Sequence, residues 1–97
     1  MTSLSKKGEE VIQMNIRDFL THLYEMGPVV VFESGNAGGG YPRNACIFNE
    51  YKETIEILFE DDSYIILPKA DIQSINLRDN HISVFMTDGT RYIFEAD

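Results

Sequence analysis

Apolar residues along this chain follow two periods, and the change from one to the other falls at a single point. Ile16, Phe19, Leu20 and Leu23 recur three or four residues apart, with Arg17, Thr21 and His22 between them, which lays one apolar stripe along a helix. Asn15 is a good N-cap. Asp18, three residues on, can return a hydrogen bond to it and suits the positive end of the helix dipole. Gly27-Pro28 supplies the stop signal. The spacing predicts an amphipathic helix over Asn15 to Met26.

After Pro28 the period shortens to two. Val29 to Phe32 is a β-branched and aromatic run of strand length. It leads into a long stretch dense in Gly, Asn and Pro, from Glu33 to Arg43. Strands are then expected at Ala45 to Tyr51 and Glu53 to Glu60, where Ile55, Ile57 and Phe59 alternate with polar positions. Asp61-Asp62-Ser63 turns the chain into Tyr64 to Leu67. Pro68 ends that strand, since it cannot donate to a ladder. Lys69-Ala70-Asp71 is suited to a single helical turn before a strand over Ile72 to Leu77. Arg78-Asp79-Asn80 turns into His81 to Thr87, and Asp88-Gly89 suits a two-residue type I′ turn into Thr90 to Glu95.

These elements predict an α+β fold. One N-terminal amphipathic helix precedes a strongly bent antiparallel β-sheet or small open barrel of five to seven short strands. Residues 1 to 13 lack sustained periodicity and read as a flexible tail, leaving 14 to 97 as a single domain. The segment from Tyr64 to Asn76 resembles the strand, single helical turn, strand element of SH3-like and Sm-like small barrels. The resemblance is confined to that segment, so it implies no site residues.

Composition changes the picture in two ways. The formal charge of −8, from 16 acidic against 8 basic side chains, works against nucleic-acid binding, which normally requires a Lys/Arg patch. It favours a protein partner with a basic surface, whose approach it would steer. A domain this small buries only about two-thirds of the surface its unfolded chain exposes, so its stability is modest, which also favours a homodimer. No apolar run is long enough to span a bilayer, and residues 1 to 10 hold no hydrophobic core of a signal peptide. A cytoplasmic setting without membrane contact is therefore expected. Cys46 is the single cysteine and sits in the run Ala45-Cys46-Ile47-Phe48, which reads as a buried structural thiol.

The stretch that stands out chemically is acidic. Glu50, Glu53, Glu56, Glu60, Asp61 and Asp62 are opposed locally by Lys52 alone. Among them Glu53, Glu56, Glu60, Asp61 and Asp62 are the expected partner-binding residues of a non-enzymatic acidic binding protein, of the inhibitor, adaptor, immunity or anti-defence kind. The same charges also serve a solvated sheet face that resists edge pairing. The alternative is a small-barrel module that binds a nucleotide or other small anion through the loop 34–44. There Gly38, Gly39 and Gly40 would let backbone N–H groups approach the anion, and Tyr41 and Arg43 would contact it. That loop runs from strand to strand and lacks the phosphate-loop and dinucleotide-binding patterns. His22, His81 and Cys46 show no metal-ligand spacing, and no nucleophile and base are paired by any signature. No catalytic residue, metal or cofactor is expected.

Overall fold

The computed structural model describes residues 11–35 and 42–96, with Cys46 described by its backbone alone. In chain order the elements are β1 (Val11–Gln13), α1 (Ile16–Met26), β2 (Val29–Ser34), β3 (Arg43–Glu50), β4 (Thr54–Phe59) and β5 (Tyr64–Pro68). A 3₁₀ turn (Lys69–Asp71) follows, then β6 (Ile72–Arg78), β7 (His81–Met86) and β8 (Arg91–Ala96).

All eight strands belong to one sheet in the order β1-β6-β7-β8-β2-β3-β4-β5. Every neighbouring pair is antiparallel. The sheet curls into a half-barrel with β1 and β5 as its two edges among the described residues. Two irregularities assist the curl: the register shifts between Ala45 and Ile47 in β3, and between Ile72 and Ser74 in β6. An extra residue bends a strand and raises its twist. Each bulge also keeps apolar residues on the inner face. Ala45 and Phe48 oppose Phe59 and Ile57, and Ile72 and Ile75 oppose Met86 and Val84.

Helix α1 packs against this inner face. The Asn15 side chain accepts from the Asp18 N–H at 2.7 Å, so one orphan donor of the first turn is satisfied. Gly27 ends the helix at φ 79. Phe19, Leu20 and Leu23 are buried against Val29, Val31, Ile55, Ile57, Leu67, Ile82, Val84 and Phe94. Phe19 meets Phe94 edge to face, with ring centroids 5.3 Å apart. Such burial is the main favourable term, about 1.5–3 kcal/mol for each large side chain. On the helix's outer side, Tyr24 donates its hydroxyl to the Phe48 carbonyl at 3.0 Å and packs edge-on against the Phe48 ring.

Three expectations need correction. Among the described residues there are eight strands rather than five to seven, and the helix follows a strand, because Val11–Gln13 pairs with β6. Three residues carry too little pattern to be read as a strand, and their partner is remote in sequence. Residues 1 to 10 of the expected tail lie outside the described residues. The third correction concerns Asp88-Gly89, which does not form a two-residue loop. Met86 N–H donates to the Thr90 carbonyl at 2.8 Å and Gly89 N–H to the Met86 carbonyl at 3.1 Å, with Gly89 at φ 95. That is a three-residue loop closed by a left-handed residue.

Candidate protein-docking face

Strands β3, β4 and β5 turn a second face outward. The register sets Ile47, Leu58 and Tyr64 in one row across the three strands and Asn49, Glu56 and Ile66 in the next. Ile47 (48 % exposed), Tyr64 (59 %) and Ile66 (49 %) thus share a convex surface, and Tyr51 (53 %) stands just past the end of β3. These side chains are exposed because the bulge and the strict alternation of β4 commit Phe48, Ile57 and Phe59 to the inner face.

The acidic residues are arranged along β4 rather than in one cluster. Glu56 lies in the middle of the convex face, where its carboxylate accepts from Asn49 Nδ2 at 3.3 Å and from the Tyr51 hydroxyl at 3.2 Å. The negative charge of Glu56 raises the Tyr51 phenol above its ordinary value. Glu53 sits in the β3–β4 turn, while Glu60, Asp61 and Asp62 form the β4–β5 turn at the other end. A six-residue strand separates the two groups by roughly 20 Å. Asp61 accepts from both the backbone N–H and the hydroxyl of Ser63, and those bonds hold its carboxyl below the ordinary aspartate range. Glu60 accepts from Asn44 Nδ2 at 3.4 Å. Glu50 is neutralised by Lys69, whose Nζ is 2.7 Å from the Glu50 carboxylate.

Of the residues considered for the anion-binding loop, Gly38, Gly39, Gly40 and Tyr41 lie outside the described residues. Arg43 is on the inner face at one end of the half-barrel. Its guanidinium donates to Glu33 at 3.3 Å and to Ser63 Oγ at 3.2 Å, and lies over the Phe59 ring. These contacts tie both terminal nitrogens of the guanidinium to acceptors within the chain. A shallow depression of about 200 Å³ beside it is lined by Pro42, Asn44, Glu60 and Asp61 as well, so two carboxylates border it.

His22 and His81, far apart in sequence, line one cavity of about 420 Å³ between the end of α1 and the β6–β7 turn, together with Asp79 and Glu95. Sequence reading had no signal for that meeting, since it depends on where the helix crosses the sheet. Among the described residues no three His, Cys, Asp or Glu side chains are grouped to hold a metal ion. No described helix is long and apolar enough to cross a membrane. The expectation for Cys46 concerns a side chain outside the described part. No family model, no curated protein and no solved structure matches the chain.

Proposed function

We propose that this chain is a non-enzymatic binding protein whose docking surface is the convex face of β3–β4–β5. The observation that carries this reading is the row of exposed apolar side chains, Ile47, Tyr64 and Ile66, bordered by carboxylates in both flanking turns. Protein interfaces combine an apolar centre with a polar rim, and aromatic residues are enriched at that centre. The partner that fits is a protein with a basic rim around an apolar patch. Glu53, Glu60, Asp61 and Asp62 steer the encounter, while Tyr64 and Ile66 supply contact area.

The test compares proteins retained from a lysate by the wild-type chain, by a Glu53→Lys, Glu60→Lys, Asp62→Lys triple variant, and by Ile47→Lys. A partner of this face is retained by the wild type and lost to both variants. With that partner purified, the triple variant slows association about tenfold or more. Raising salt from about 50 mM to about 500 mM weakens the wild type in parallel, because the Debye length shrinks below the length of β4. A partner bound equally by all three proteins would sink the proposal. The anion-loop alternative has less support, since Arg43 is engaged within the chain.

A further inference from the structure

Among the described residues strand β5 is an edge of the sheet, and its outward backbone groups can be read from two bonds of the chain itself. Phe59 N–H donates to the Ser63 carbonyl at 2.9 Å, and Lys69 N–H donates to the Glu53 carbonyl at 2.9 Å. Hydrogen-bonded pairs alternate along an antiparallel ladder. The inward-bonding residues of β5 are therefore Ser63, Ile65, Leu67 and Lys69, given the pairing of Ile57 with Ile65 and Ile55 with Leu67. Tyr64 and Ile66 then aim both N–H and C=O away from the sheet. At Pro68 the next outward position has no N–H, which stops any further ladder.

From this edge we infer that two copies of the chain pair through β5 about a two-fold axis, joining their half-barrels into one continuous sheet. With Ile65 opposite the partner's Ile65, Tyr64 falls opposite the partner's Ile66, and the reverse. Each of these symmetric pairs is of the hydrogen-bonded kind and closes with two N–H···O bonds. Their side chains lie on the convex face as aromatic and β-branched cross-strand pairs, a favourable combination. On the inner face Ile65, half-buried at the rim of the core, is covered by its symmetry mate.

Charge favours the antiparallel arrangement, which sets the acidic β4–β5 turns of the two copies at opposite ends of the paired strands, whereas a parallel alignment would bring those turns side by side. The other edge, β1, leads to a different assembly. Joining β1 of one copy to β5 of the next is heterologous and would propagate into an open chain of copies.

The contact is short, so the dimer is weak, with a dissociation constant on the order of tens to hundreds of micromolar. Sedimentation equilibrium from about 10 µM to about 1 mM tests it, with the mass expected to rise from 11.1 kDa toward twice that value and no further. Ile66→Lys should raise the dissociation constant tenfold or more. Ile66→Pro, which deletes an N–H that no bond among the described residues uses, should do the same while the far-ultraviolet circular dichroism stays that of the wild type. Ile65→Cys should yield a disulfide-linked dimer under mild oxidation, and Tyr64→Cys should yield far less.

A mass of 11.1 kDa throughout the range overturns the inference, and leaves the edge to a strand from another protein. Masses that climb past two copies overturn it in favour of the β1–β5 chain. A dimer indifferent to both Ile66 substitutions overturns it as well. The outcome is separable from the docking reading. Ile47 lies two strands in from the edge, so Ile47→Lys leaves the dimer intact while abolishing partner docking. Salt separates them too, because screening two copies of net charge −8 preserves or tightens the dimer and loosens a basic partner.

Discussion

The guanidinium of Arg43 lies 4.1 Å from the centre of the Phe59 ring, between the Glu33 carboxylate and the Ser63 hydroxyl. It closes one end of the core with a cation over an aromatic face, where partial burial strengthens the contact. Arg43→Ala should cost about 1–2 kcal/mol in urea denaturation. Arg43→Lys should recover less than half, since an ammonium cannot both stack on the ring and fork between two acceptors. Loss of less than about 0.3 kcal/mol in Arg43→Ala would show the cluster to be passive.

The hairpins at either side of the sheet share one loop geometry with different residues at the strained position. In the β7–β8 loop Gly89 takes φ 95, and in the β4–β5 loop Asp62 takes φ 71 with the matching bonds, Phe59 to Ser63 and Asp62 to Phe59. Aspartate tolerates the left-handed region better than most residues, yet still pays a steric cost that glycine avoids. Asp62→Gly is therefore expected to raise stability by about 0.5–1 kcal/mol. A shift of the urea midpoint to lower concentration would contradict this. If Asp62 also contacts a partner, the same variant gains stability and loses affinity.

Gly35, at the end of β2, adopts φ 137, and a Cβ there would stand 2.7 Å from the Thr90 Cα and 3.0 Å from the Gly89 carbonyl. Both neighbours are backbone, so no side chain can swing aside. Gly35→Ala should cost roughly 1–3 kcal/mol, through strain and the displaced β7–β8 hairpin. Thermal denaturation of the variant beside Thr90→Ala, which leaves the clash in place, checks the assignment.

Two titrating groups set opposite limits on stability. Burial, and then the charges of Glu33 and Asp88, raise the Tyr92 phenol above the ordinary tyrosine value of 10.0. A group with a raised folded value contributes stability that is whole below 10.0 and is lost as pH climbs through that folded value. Wild type should consequently lose stability relative to Tyr92→Phe only above pH 10, as followed by urea titrations at successive pH. Asp61 works in the other direction, because its carboxyl is held below 3.8 by the Ser63 hydroxyl and N–H. Its contribution is present above 3.8 and disappears as pH falls through the folded value. In Ser63→Ala the carboxyl should titrate closer to 3.8, which carbon-detected NMR would record.

Local chemistry was readable wherever neighbours in sequence are also neighbours in space. The Asn15 side chain caps α1, the alternation over Ile55 to Phe59 marks the buried face of β4, and Pro68 ends β5. The α+β class and the curled antiparallel sheet follow from the same signals, because period and breakers depend only on the next few residues. The acidic stretch was equally plain as composition. Its division into two turns about one strand length apart was not, since that depends on the extent of β4 and on where the hairpins fold back.

What the sequence by itself determined was local character: which stripe of α1 is apolar, which residues of β4 face inward, and where turns interrupt the strands. Tertiary structure alone decided which strands became edges. Pairing of Val11–Gln13 with β6 gave the sheet its eighth strand, and the bulge in β3 turned Ile47 outward beside Leu58 and Tyr64. The physical reason is that strand pairing and bulge position are set by contacts between residues distant in sequence, whose competing registers differ by little locally. Those contacts put Tyr64 and Ile66 in the outermost described strand of the sheet, beside the acidic β4–β5 turn.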